Sequence, residues 1–270
     1  MHAYTMRRVE GRRDAAWSEV GGAAADRTSG AAEITLRAAE ALAALPASDL
    51  EGAVQALVAG HPSMAPLWRL GSAVLEAEDH ADAAVRFARA VLAERDGVVR
   101  RAASMLDAPR VVTHSYSSTV VATVAAAGPK TLCARSDPGG EGQETGRRLR
   151  DAGVDAAVVK DDVALAAAAS GIPVVTGADA VGSGGIVNKV GTRSLAGACR
   201  GGGGTFLIVA GTSKLLAVDL PAPHPFERTP LDAVDVVVTE EGPLRPGEAL
   251  EAAGRFPVHP VLAAVLRELR

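Results

Sequence analysis

The segment from Gly177 to Thr192, read as GADAVGSGGIVNKVGT, holds the densest set of groups able to do chemistry in this chain. Its glycines let backbone amides approach an anion, a helix opening behind them adds its positive end, and Lys189 adds a full charge, so a phosphate is favoured there. Asp179 stands at the exit of the preceding apolar run, where a carboxylate can take part in proton transfer or bind a sugar hydroxyl. A flexible turn between a strand and a helix explains the glycines equally well, so the segment has to be weighed with its neighbours.

Three other polar clusters follow apolar runs: Thr113-His114-Ser115-Tyr116-Ser117-Ser118, Glu141-Gly142-Gln143-Glu144-Thr145 and Ala210-Gly211-Thr212-Ser213-Lys214. His114 and Ser115 are adjacent, and adjacent residues on a strand face opposite ways, so they pair only if the strand has ended; His114 reads as a histidine bonded to a backbone group. Cys133 and Cys199 are far apart and read as small core residues, not as a disulfide or a zinc site. No metal or cofactor is expected.

Charge and composition narrow the function classes. A net charge of -4, with four Phe, two Tyr and two Trp, provides neither a basic field nor stacking platforms for nucleic acid. The start of the chain carries Arg7, Arg8, Arg12 and Arg13 without an apolar core for translocation, which predicts a cytoplasmic protein. No run approaches the roughly 18 apolar residues of a membrane helix.

The elements that must position these groups follow from periodicity. Between Ala31 and Ser104 apolar residues recur at spacings of three and four, broken at Pro46, at Gly60-His61-Pro62 and at Glu78-Asp79, which predicts four or five helices with Ser48, Ser63 and Asp79 as N-caps. Beyond Pro109, short β-branched runs (Val111 to Thr113, Thr131 to Ala134, Val154 to Val159, Ile172 to Thr176, Phe206 to Val209, Val234 to Thr239) alternate with helical segments, the last of them Lys189 to Arg200. Such a parallel sheet binds ligands beyond the carboxyl ends of its strands, which points to the loops after Thr113, Ala134, Thr176 and Val209. Pro221 to Pro230 reads as an extended crossing segment. The fold class is α/β: an N-terminal helical domain over residues 1–106, with 1–26 as a flexible arm, then a Rossmann-like, doubly wound, mainly parallel sheet over 107–270.

Gly-Ala-Asp followed by Asn188-Lys189-Val190-Gly191-Thr192 resembles the signature of the superfamily that unites the translation initiation factor 2B alpha, beta and delta subunits with the methylthioribose-1-phosphate and ribose 1,5-bisphosphate isomerases. The Thr113 to Ser118 loop, the Glu141 to Thr145 segment, Ser29-Gly30-Ala31 and His61-Pro62-Ser63 are similar to further motifs of that superfamily. The resemblance implies a homodimer that binds a phosphorylated small molecule, and an aldose-to-ketose conversion on a ribose-1-phosphate-type substrate. A regulatory subunit sensing a sugar phosphate or nucleotide is the alternative.

By the same resemblance Asp179 is the catalytic aspartate, Ser115 occupies the acid position, and Gly30, Ala31, His61, Ser117, Ser118, Asn188, Lys189 and Lys214 bind the ligand. The departures are equally specific. Ser115 replaces the family's catalytic cysteine, and a hydroxyl lacks the thiol's accessible ionisation. Ser29 and His61 stand where the family keeps arginines, and Arg135-Ser136-Asp137-Pro138 reverses the charges of a Glu-Ser-Arg-Pro segment, which preserves an ion pair with its ends exchanged.

Overall fold

The computed structural model describes residues 2–269, with side chains from residue 11 onward. A layer of helices comes first: α1 (His2–Ala25), α2 (Ala31–Ala44), α3 (Leu50–Gly60), α4 (Ala65–Glu76) and α5 (His80–Met105). The segment expected as a flexible arm is therefore helical. Ala16, Val20 and Ala23 recur at helical spacing and are buried, while Arg13 and Trp17 both donate to the Asp49 carboxylate, at 2.5 and 2.8 Å. This stripe of small apolar residues is narrow, and the arginines around it mask it in the sequence. Arg7 and Arg8 lie outside the described side chains.

Asp79 caps α5 by accepting the Asp82 amide at 3.0 Å. Ser48 and Ser63 do not cap. Helix α3 opens after Asp49, and the Ser63 hydroxyl donates instead to the Pro221 carbonyl at 2.9 Å, tying the helices to the later half of the chain. Helix α4 buries Leu67, Trp68, Leu70 and Val74, each large side chain stabilising the layer by about 1.5–3 kcal/mol. At Gly71 a side chain would overlap Val54 of α3, so glycine lets the two helices approach.

The second half alternates strand and helix: β1 (Arg110–His114), α6 (Ser118–Ala127), β2 (Lys130–Ala134), α7 (Gly142–Asp151), β3 (Ala156–Val159), α8 (Asp161–Ala169), β4 (Val174–Gly177), β5 (Ala180–Gly182), β6 (Gly185–Lys189), α9 (Thr192–Gly201), β7 (Phe206–Val209), β8 (Phe226–Thr229), β9 (Val236–Val238), β10 (Pro243–Leu244), α10 (Pro246–Gly254) and α11 (Pro260–Glu268). The main sheet runs β10-β9-β7-β4-β1-β2-β3, all parallel except β10. Counted by parallel strands alone, this is the doubly wound order 3-2-1-4-5-6. The strand order reverses between β1 and β4, so the loops leaving those two parallel strands splay apart and open a crevice. Val111, Val112, Val174 and Val175 are fully buried, as expected of central strands covered by helices on both faces.

Two expectations change. Gly177 to Thr192 is not one loop opening a helix: β5 and β6 form an antiparallel hairpin, joined by β8 into a second, three-stranded sheet, and the helix starts only at Thr192. The glycines serve the hairpin. Gly185 has φ +122° and leaves no room for a side chain against the Thr229 carbonyl, while the Gly184 amide and the Ser183 hydroxyl both donate to Asp219. Pro221 to Pro230 is likewise not wholly irregular, because the four proline-free residues Phe226 to Thr229 pair with β6 as an edge strand. No helix among the described residues is long and apolar enough to cross a membrane.

Candidate functional site

A cavity of about 430 Å³ lies between the helical layer and the loops that leave β1 and β4. Its walls come from the start of α2, the α3–α4 link, the β1–α6 loop, the β4–β5 link, strand β6 and the turn after β7. All ten site residues expected from the sequence line it: Gly30, Ala31, His61, Ser115, Ser117, Ser118, Asp179, Asn188, Lys189 and Lys214. At the crevice the two loops nearly touch, since a side chain on Gly177 would come within 3.1 Å of Ser117.

Asp179 is held through its backbone from both sides. Its N–H donates to Val187 of the hairpin at 2.8 Å, and its carbonyl accepts the Ala65 N–H, at the head of α4, at 2.9 Å. Its carboxylate takes no hydrogen bond among the described residues, and burial pushes its pKa up to about 6 against the attraction of Lys214. A carboxyl that titrates near neutrality in a cleft is suited to exchanging protons. Lys214 donates to the Ala178 carbonyl, and burial pushes its own pKa down against the pull of Asp179 and Glu94.

Ser115 directly follows β1 and lies in the left-handed region, φ 61°, which is uncommon for a residue with a side chain. The conformation is pinned by its own N–H, donated to Ser136 Oγ at 2.7 Å, and by its carbonyl, which accepts from Thr145 Oγ1 at 2.7 Å. His114 is no base for it. Its Nε2 donates to the Val190 carbonyl at 2.9 Å, leaving Nδ1 to Ser136 Oγ at 3.0 Å, and burial lowers its pKa, which keeps it neutral. Cys133 does not line the cavity; it lies within β2 in the core, its thiol pushed up to about 11 by burial.

Asn188 and Lys189 reach the cavity from β6, not from a helix. The Asn188 amide donates to Thr192 Oγ1 at 3.0 Å and Thr176 Oγ1 at 3.3 Å. Lys189 is almost fully buried and pairs with Glu141 Oε1 at 2.5 Å, while Glu141 Oε2 is buried without a protein partner. His61 is held by the Ala23 carbonyl at 2.8 Å and kept neutral by burial, so it brings no cation in place of the family's arginine. Arg135 and Asp137 do pair, at 3.0 Å, on the half-exposed surface.

Two helix starts, and not the glycine turn, border the cavity. Gly30 to Ala32 open α2 and Ser117 to Thr119 open α6, and both starts line the cavity. First-turn amides have no partner inside their own helix, and the helix dipole adds positive potential there. Residues that the sequence reading left out of the site also line it: Arg27, Tyr116, Thr176 and Glu141. Tyr116 and Glu141 carried a usable signal, each lying within a motif-like segment, and Thr176 ends a strand whose following loop was already indicated. No cluster of groups able to hold a metal occurs among the described residues.

Together the doubly wound sheet, the helical layer and a cavity at the strand reversal, lined by helix starts, two lysines and Asp179, define an α/β protein with a polar cleft between its layers. Residues 31–220 match the Initiation factor 2 subunit family, and the chain belongs to it. Among solved structures it is similar to the translation initiation factor eIF-2B of Pyrococcus horikoshii OT3, with TM-score 0.77 and 25% identity over 86% of this chain and 97% of that one. Two others share the fold at lower identity. One is the tetrameric eIF2B-beta2-delta2 complex from C. thermophilum, with TM-score 0.74 and 17% identity over 94% of this chain and 99% of that one. The other is 5-methylthioribose 1-phosphate isomerase from Pyrococcus horikoshii OT3, with TM-score 0.65 and 19% identity over 93% and 87%. No curated protein matches the sequence.

Proposed function

We propose that the protein binds a phosphorylated sugar of the ribose 1-phosphate type in this cavity and converts it from aldose to ketose. The observation that carries the reading is the meeting of Asp179, its pKa raised to about 6, with the starts of α2 and α6 in one cavity. The helix starts suit a phosphate, and Asn188 and Glu141 suit sugar hydroxyls. An aldose-to-ketose conversion moves hydrogens within one substrate and needs no external oxidant or reductant. Asp179 is the group that takes and returns the proton, and Ser115 is placed to hydrogen-bond a sugar oxygen. Its left-handed backbone supports a functional role, since such strain gathers at working sites.

The test has two stages. A thermal-shift panel of ribose 1-phosphate, ribose 1,5-bisphosphate, methylthioribose 1-phosphate and nucleoside monophosphates identifies a ligand, which at about 100 times its Kd stabilises by roughly 2.7 kcal/mol. Incubation in heavy water then shows deuterium in the sugar if Asp179 exchanges a proton. Asp179→Asn turnover equal to wild type removes the catalytic assignment.

A second reading, a sensor without turnover, is favoured by Ser115 itself, whose hydroxyl has no base because His114 is committed elsewhere. It predicts a thermal shift without deuterium uptake. In either case we propose a homodimer through the sheet half, for which light scattering gives twice the chain mass of 27.4 kDa.

A further inference from the structure

The five-residue turn that delivers Lys214 is gripped by partly buried ionic groups from three separate elements. Glu94 of α5 accepts the Ser213 N–H at 3.1 Å and the Thr212 hydroxyl at 3.3 Å. Glu240, just beyond β9, accepts the same hydroxyl at 2.5 Å and the Thr212 N–H at 3.0 Å. Arg69 of α4 donates to the Thr212 carbonyl at 2.7 Å and the Leu215 carbonyl at 3.3 Å while stacking on Phe256 at 3.6 Å. Gly211 has no space for a side chain, because the Glu94 carboxylate fills it.

Apolar packing would hold a turn at lower cost, since withdrawing a charge even partly from water carries a desolvation penalty. Burial does raise the pKa of Glu94, with Glu240 adding to the rise. What the arrangement secures is the position of the turn's last residue, Lys214, whose ammonium donates to the carbonyl of Ala178, next to Asp179, and feels the charges of both Asp179 and Glu94. Glu94, Ser213 and Lys214 border a void of about 30 Å³. Arg95 borders the same void, and Arg69, Glu240 and Arg255 complete the charged groups around the turn.

We propose that Glu94 is a positioning residue: with Glu240 it fixes the Gly211–Ser213 turn and thereby sets Lys214 against Asp179, so that helix α5 governs the protonation of the cavity's carboxyl. The proposal rests on the reading of Asp179 as the proton-exchanging group. It differs from a purely mechanical brace in what it predicts for Asp179.

The experiment is a carbon NMR titration of the whole, ligand-free protein labelled at its aspartate carboxyls, with Asp179 assigned through Asp179→Asn. Lys214→Met, which removes the cation, raises the Asp179 midpoint and sets the full scale of the effect. Glu94→Ala raises it by about half a unit, roughly a threefold change in proton affinity. Glu94→Gln, which keeps an acceptor for the Ser213 amide, restores the wild-type midpoint. If Glu94→Ala does not fold, Thr212→Val, which deletes the hydroxyl shared by both carboxylates, moves the midpoint the same way. An unchanged midpoint in folded Glu94→Ala or Thr212→Val protein overturns the proposal, and so does an unchanged midpoint in Lys214→Met. No ligand enters the measurement, so a sugar phosphate that fails to bind would sink the functional reading and leave this result standing.

Discussion

Replacing Asp179 by asparagine should make the protein more stable and less able to exchange a proton. The folded-state pKa is raised from 3.8 to about 6, so the folded protein holds that proton more tightly than the unfolded chain does. The stability this provides is fully present below about pH 4 and is lost as pH rises through about 6. The shift spans roughly two units, each worth about 1.4 kcal/mol, so ionised Asp179 costs the folded state about 3 kcal/mol at pH 8. Asparagine has the shape of the neutral acid and never ionises. Asp179→Asn therefore matches wild type near pH 4 and exceeds it by about 3 kcal/mol at pH 8, a rise in Tm of about 5 °C for a chain of this length. The assay is thermal unfolding of both proteins from pH 4 to 8, followed by the fluorescence of the buried Trp68. Comparing the two proteins cancels the titrating groups that do not interact with Asp179, which leaves Lys214 as the coupled one. Equal stability at pH 8, or an asparagine variant less stable there, would refute the argument that burial dominates this carboxyl.

Three further outcomes follow from the packing. Glu141→Ala leaves the buried Lys189 ammonium without its partner and lowers stability by about 2–3 kcal/mol in urea melts, an effect that Lys189→Met in the same background reverses in part. Gly71→Ala drives a methyl into Val54 between α3 and α4 and destabilises by about 1–3 kcal/mol in the same assay. Cys133, with its thiol pushed up to about 11 inside the sheet, resists iodoacetamide at pH 8 in the native protein and reacts once guanidinium unfolds it, as mass spectrometry of the alkylated peptides can show.

The strand-helix alternation was legible because each central strand is a short β-branched run and each connecting helix is apolar on one side. The loops that carry Asp179 and Lys214 were legible for a topological reason, since both lie just past the carboxyl end of a strand where this sheet order opens, while the two residues themselves stood out through the family resemblance. The glycine hairpin was misread because its glycines answer to the close approach of Thr229 and to Asp219, partners roughly 35 to 45 residues away along the chain. Helix α1 was missed because its buried face is only alanine and valine set among arginines. Glu240 lies 28 residues from Thr212 along the chain, and only the folded chain brings the two into hydrogen-bond contact. Local pattern identifies elements, whereas these contacts join residues that no local pattern links.

Helix α11 turns back onto the first layer: Leu262 and Leu266 join the core formed by α2, α3 and α4, and the His259 N–H is accepted by Ser72 Oγ at 3.0 Å. A ribosome making this chain in order releases the opening helices long before the residues that seal them. Until α11 emerges, the groove around Val54 and Gly71 stays open to water and to whatever hydrophobic segments pass nearby, so this half of the molecule is the one that would call on a chaperone during synthesis.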